Sequence, residues 1–315
     1  MSARLAFAFL VCTALPVAAD EQQLSLPTQP GALHGTLSLP ARPSGSPVIL
    51  MIAGSGPTDR DGNSPTGLHS DSYKLLAEGL AAKGITSLRV DKRGIGESKE
   101  AMTAESNLRF QTYADDARDW MAALRQRTGA PCVWLLGHSE GALVAEVVAQ
   151  DQSSVCGLVL LSGAGRTAGD LLRVQFGQQL RDPLKQQAFD TVAALEKGQA
   201  VAAPPPQLMA LFRPSVQPYL ISWLPLDPAA LLSRIKRPVL ILQGDTDLQV
   251  SVEDARLLAA AKPDAKLVIL PGVNHILKLA PAERAANLAT YTDPALPLAP
   301  GVVDMVANFV QGHSP

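Results

Sequence analysis

The chain has 315 residues, 27 basic and 29 acidic side chains, a formal net charge of −2, and 47% hydrophobic residues. That length can bury a sizeable core, and the near-neutral balance argues against nucleic-acid binding, which needs a basic face. No internal repeat or long low-complexity tract interrupts it.

Residues 1–19 read as a secretory signal peptide. Arg4 is the only early charge, an apolar run covers 5–15, and the small residues Ala18 and Ala19 precede Asp20. The run is short for a membrane span, and Val11 ahead of Cys12 fits a lipoprotein signal poorly. An uncut anchor is the alternative. No later apolar run is long enough to cross a bilayer, so the expected destination is periplasm or medium, with no stable membrane anchor.

Alternation over 33–39 predicts an early antiparallel strand. The continuous apolar run 48–53 predicts a buried parallel strand feeding Gly54-Ser55-Gly56-Pro57. Helical spacing of Leu75, Leu76, Gly79 and Leu80 places a helix over 73–83, stopped by Gly84. A strand over 86–90 precedes Asp91-Lys92-Arg93-Gly94-Ile95-Gly96-Glu97-Ser98, and a helix over 111–127 carries Trp120, Ala123 and Leu124 on its apolar side. Further strands are expected at 133–136, 158–161, 238–243 and 266–270, with helices over 142–150, 252–261 and 302–310. Strands alternating with helices predict an α/β fold with a mostly parallel central sheet flanked by helices.

Between 163 and 234 the rhythm breaks into helical patterns without a strand. Leu184, Ala188, Phe189, Val192 and Leu195 mark one amphipathic helix, and Phe176, Phe189, Phe212, Tyr219 and Trp223 concentrate there. We read 164–234 as an inserted helical cap on a core of 20–163 and 235–315; ordinary crossover helices are the alternative. The aromatics serve either an acyl pocket or packing.

Cys132 and Cys156 begin two apolar runs. If these are adjacent parallel strands, both sulfurs lie at one end of the sheet, and an oxidising compartment permits a disulfide contributing about 3 kcal/mol. Two small buried thiols are the alternative.

Gly137-His138-Ser139-Glu140-Gly141 carries the strongest chemical signal: a glycine-x-serine-x-glycine turn with an apolar strand before it and an Ala/Val-rich helix after it. Such a turn exposes the Ser139 hydroxyl at a helix N-terminus, where developing negative charge is favoured. A serine hydroxyl needs a base. Of five histidines, His275 lies just past the strand at 266–270, in Pro271-Gly272-Val273-Asn274-His275. His34, His69, His138 and His313 are placed less well. The base needs a carboxylate to fix its tautomer. Asp247 and Asp245 both follow the strand at 238–243; the Gly244-Asp245-Thr246-Asp247 spacing favours Asp247 and leaves Asp245 as a turn residue. Oxyanion donors are expected from the backbone N–H groups of Glu140 and Ser55, with Gly54 and Gly56 as rivals to Ser55.

With these residues in place the chain resembles the α/β-hydrolase superfamily over nearly all of 20–315. Ala53-Gly54-Ser55-Gly56 is similar to its oxyanion loop, with Ala53 where a histidine is frequent, and Asp91 to Ser98 is similar to its Asp, Arg-Gly, Gly, Ser motif. More narrowly, Gly54-Ser55-Gly56-Pro57-Thr58-Asp59-Arg60-Asp61-Gly62-Asn63, the elbow, and Ser215-Val216-Gln217-Pro218-Tyr219-Leu220-Ile221-Ser222-Trp223 resemble a branch of bacterial secreted esterases close to the serine-aminopeptidase-like hydrolases. The resemblance implies hydrolysis of a small-molecule carboxylic ester, with a short acyl chain expected, and neither cofactor nor metal. Peptidase, thioesterase and non-catalytic binding are the alternatives. Arg60 either meets a substrate carboxylate or belongs to a local ion pair that shapes its loop.

Overall fold

A computed structural model describes residues 20–314; the signal-peptide reading of 1–19 lies outside them. Eight strands form one sheet. They are β1 (Asp20–Pro27), β2 (Ala32–Leu39), β3 (Val48–Ile52), β4 (Thr86–Val90), β5 (Val133–His138), β6 (Val155–Leu161), β7 (Val239–Gly244) and β8 (Lys266–Leu270), in the spatial order β1-β2-β4-β3-β5-β6-β7-β8. The β1–β2 and β2–β4 pairs are antiparallel and every other pair is parallel.

The pleat sorts the core into two layers. Ile49 and Met51 of β3 and Trp134 and Leu136 of β5 face α1 (Ser72–Ala82) and the last helix, Val302–His313. Leu50, Ile52, Val133 and Leu135 face the opposite layer, built from α2 (Phe110–Thr128), α3 (Glu140–Val148) and the helix Val252–Ala261. Burial on both faces explains why these strands read as unbroken apolar runs.

Two local findings depart from the sequence reading, and a third, the strand-free stretch after Leu161, agrees with it. β1 was not expected: Asp-Glu-Gln-Gln leads it, and as an edge strand paired only with β2 it needs few apolar residues. β5 runs on through His138, and α3 starts at Glu140 rather than near Ala142, because the elbow joins strand to helix through Ser139 alone. No strand occurs between Leu161 and Val239; that stretch holds the helices Ala168–Gln179, Leu184–Glu196, Met209–Phe212, Gln217–Trp223 and Pro228–Leu232. Cys132 and Cys156, at the ends of β5 and β6, are joined by a disulfide with Cα atoms 5.2 Å apart.

Candidate active site

In parallel strands all carboxyl ends point to one edge, and loops leaving that edge converge. Gly54-Ser55 leaves β3, Lys92 follows β4, Ser139 follows β5, Asp247 follows β7 and His275 follows β8.

Ser139 sits at φ 54° and ψ −121°, a strained backbone for a residue with a side chain. The flanking glycines are there for close approach. A Cβ on Gly137 would lie 2.2 Å from the Gly141 carbonyl oxygen, and one on Gly141 would lie 2.2 Å from that of Ile52. Any larger residue pushes strand, elbow and helix apart.

His275 and Asp247 are brought together, with Nδ1 and Oδ2 2.8 Å apart. Asp247 is held in turn by the N–H groups of Gln249 (2.8 Å) and Val250 (3.0 Å) and by the Gln243 amide (3.1 Å). Burial pushes its carboxyl up, but His275 and the two N–H groups pull harder and leave it below the usual carboxylate range. Asp245 is a turn residue, accepting from the Gly272 N–H at 2.7 Å. Ser139 and His275 share the wall of a cavity of about 160 Å³, with Gly54, Ser55, Tyr73 and His138. A larger cavity of about 580 Å³ opens from Ser55 and Ser139 beneath the helices of 164–234, lined by Leu171, Leu172, Leu211, Phe176 and Trp223. Of the aromatics singled out in sequence, Phe176 and Trp223 reach this cavity, whereas Phe212 and Tyr219 are buried in packing against Phe176 and Phe110.

Sequence reasoning missed the buried polar groups behind these residues. The Gly54 N–H donates to Tyr73 Oη at 3.2 Å; Tyr73 Oη is 2.7 Å from His138 Nδ1; His138 Nε2 is 2.7 Å from the His275 carbonyl oxygen. Burial, then the neighbouring His275, hold the His138 imidazole down to about 3, so it is neutral. A neutral ring has one N–H, and the carbonyl accepts it, so Nδ1 accepts the hydrogen bond that the Tyr73 hydroxyl donates. One directed chain of hydrogen bonds therefore ties the β3 loop to the elbow and the elbow to the His275 loop.

Lys92 and Glu140 form a second buried group. The Lys92 ammonium donates to the Gly54 carbonyl oxygen at 2.5 Å and lies 3.9 Å from a Glu140 carboxyl oxygen. Burial lowers the lysine and raises the glutamate, each against the pull of the other's charge. The N–H groups of Ser55 and Glu140 donate to no acceptor among the described residues. Arg60 is committed elsewhere, pairing with Asp91, Glu97 and Gln23. The two arginines that line the larger cavity are paired too, Arg166 with Asp254 and Arg213 with Glu105. Among the described residues no cluster of three or more His, Cys, Asp or Glu could hold a metal ion.

Comparison with known proteins places the family and the fold. A model of the alpha/beta hydrolase family matches residues 17–290. The esterase EstD of Thermotoga maritima is 26% identical over 248 residues, covering 78% of this chain and 58% of EstD, so the chain spans under two thirds of that relative. Est1E of Butyrivibrio proteoclasticus, solved with ferulic acid, superposes with a TM-score of 0.60 at 16% identity, over 92% of this chain and 96% of its own. A proline iminopeptidase of Mycobacterium smegmatis superposes with a TM-score of 0.59 at 16% identity, over 93% and 98%. At these identities the solved structures share the fold alone.

Proposed function

The chain belongs to the alpha/beta hydrolase family, and from that premise we propose that it is a serine esterase acting on small carboxylic esters through Ser139, His275 and Asp247. The observation that carries this reading is the buried Asp247–His275 pair opening, beside the strained Ser139, onto one cavity. The named relative EstD is an esterase, which favours ester over amide.

His275 takes the Ser139 proton as the oxygen attacks the ester carbonyl. Asp247 fixes the His275 tautomer and stabilises the imidazolium. The Ser55 and Glu140 N–H groups receive the oxyanion. His275 then protonates the leaving alcohol, and water, deprotonated by the same histidine, hydrolyses the acyl-enzyme. The helices of 164–234 serve as a cap over the larger cavity, and the smaller one seats a short acyl chain. Residues 1–19 direct export, a reading supported by the disulfide, since such bonds persist in oxidising compartments.

The test is a panel of p-nitrophenyl esters from acetate to palmitate beside aminoacyl-p-nitroanilides, with Ser139→Ala as control. Esters should turn over with an optimum at short chains, and Ser139→Ala should lose at least ~10³-fold. Anilide cleavage without ester cleavage would move the protein to the peptidases. Near-wild-type turnover by Ser139→Ala would remove the nucleophile assignment, and an optimum at long chains would seat the acyl group under the cap.

A further inference from the structure

A buried ammonium bonded to a single backbone carbonyl needs a reason, and the peptide it touches supplies one. The Gly54 carbonyl oxygen and the Ser55 N–H belong to one peptide group, planar and trans, so they point in opposite directions. Lys92 Nζ holds the carbonyl end at 2.5 Å from the protein side. The N–H end is thereby turned toward the cavity wall that Ser55 shares with Ser139. We infer that Lys92 is a positioning residue for the oxyanion donors, acting through the Gly54–Ser55 peptide. The inference rests on the serine-hydrolase reading above.

Three further observations support it. The ammonium also faces the carboxyl of Glu140, the residue whose own N–H is the second proposed donor, at 3.9 Å. One buried ion pair therefore spans both donor-bearing segments, β3's loop and α3's first turn. The preceding peptide is held as well, since the Gly54 N–H donates to Tyr73 Oη, so the loop is fixed on both sides of the Gly54 α-carbon. A cation on the carbonyl oxygen also polarises the peptide, which makes the Ser55 N–H a better donor to developing negative charge. Lys92 sits 5.3 Å from the Tyr113 ring centroid, and its side chain is only 8% exposed. Solvent therefore competes little for it.

The experiment compares wild type with Lys92→Met and with Lys92→Met/Glu140→Gln. The double variant removes both members of the pair, so no charge is stranded and the fold is kept. Three quantities are read: kcat and KM on the best p-nitrophenyl ester; Ki for a trifluoromethyl ketone, whose adduct with serine carries an oxyanion; and the rate at which a fluorophosphonate labels Ser139. For Lys92→Met we expect kcat down by about 10–100-fold with KM within about threefold, a matching rise in Ki, and slower labelling. The double variant should regain the wild-type melting temperature without regaining kcat. Recovery of kcat along with stability would overturn the inference, because the pair would then act only on folding. So would a loss confined to KM, or a Ki unchanged by Lys92→Met. If wild type cleaves no ester, the esterase reading fails, while equal labelling rates for wild type and variants would overturn the Lys92 inference separately.

Discussion

The two ends of helix α3 treat a buried carboxyl in opposite ways. Glu140, in the first turn, faces Lys92 across 3.9 Å, in a neighbourhood where Gly54, Tyr73, His138 and His275 satisfy one another. Glu146, near the other end, is 1% exposed, and neither of its carboxyl oxygens finds a hydrogen-bond partner. Burial, then the charge of Asp227, push Glu146 well above the ordinary glutamate range. Position along the helix accounts for much of the contrast. The first turn meets the carboxyl edge of the sheet, where loops bring polar groups together. The last turn packs among the apolar residues Val144, Val148 and Leu232 of the core. Burial raises both carboxyls, but one faces a cation while the other has no partner and is pushed further toward its neutral form.

Substitutions can break that contrast. The largest effect should come from Glu140→Leu, which strands the Lys92 ammonium. A buried pair broken on one side costs about 3–5 kcal/mol, and a urea midpoint within error of wild type would mean that the pair is slack. Next comes Tyr73→Phe, which strands the Gly54 N–H and His138 Nδ1 together. We expect a loss of about 1–3 kcal/mol in the same assay, with kcat falling more than KM rises because the β3 loop is freed. The smallest effect, of opposite sign, should come from Glu146→Met. An apolar side chain of similar length removes an unsatisfied polar group, and about 1 kcal/mol of stabilisation at pH 8 is expected with kcat unchanged.

The Glu146 prediction has a pH signature. Its folded pKa is raised, so the native state holds a proton that the unfolded chain gives up above about pH 4.5. The stability tied to that proton is complete at lower pH and falls as pH rises toward the folded value. Wild type should therefore lose more stability than Glu146→Met between pH 5 and pH 8. Parallel melting-temperature curves for the two proteins would show that Glu146 is ionised in the fold and that the two ends of α3 are alike.

The sequence was most readable where side chains repeat or where backbone geometry demands a residue type. Apolar runs placed most of the parallel strands, and the glycines at 137 and 141 flagged a close crossing that the structure contains. The proximity of His275 to Asp247 followed from loops at one sheet edge. Lys92 was invisible because a lysine after a strand ordinarily extends into water; its burial depends on Tyr113 and Glu140, which reach it from other elements. His138 was passed over as a neighbour of the nucleophile, since nothing local reveals that its ring bridges Tyr73 and the His275 carbonyl. β1 was missed because an edge strand carries little hydrophobic pattern. The misses of Lys92 and His138 share one property: each depends on partners distant in sequence.

The Cys132–Cys156 bond closes a covalent ring around β5, the elbow and α3. A pull on the two ends of the chain is carried across that bond and bypasses everything inside the ring. The 24 residues of separation amount to about 80 Å of extended chain that a stretching force cannot release until the bond is reduced. In mechanical terms Ser139 lies off the covalent load path, and tension reaches the elbow only through the ladders that join β5 to β3 and β6.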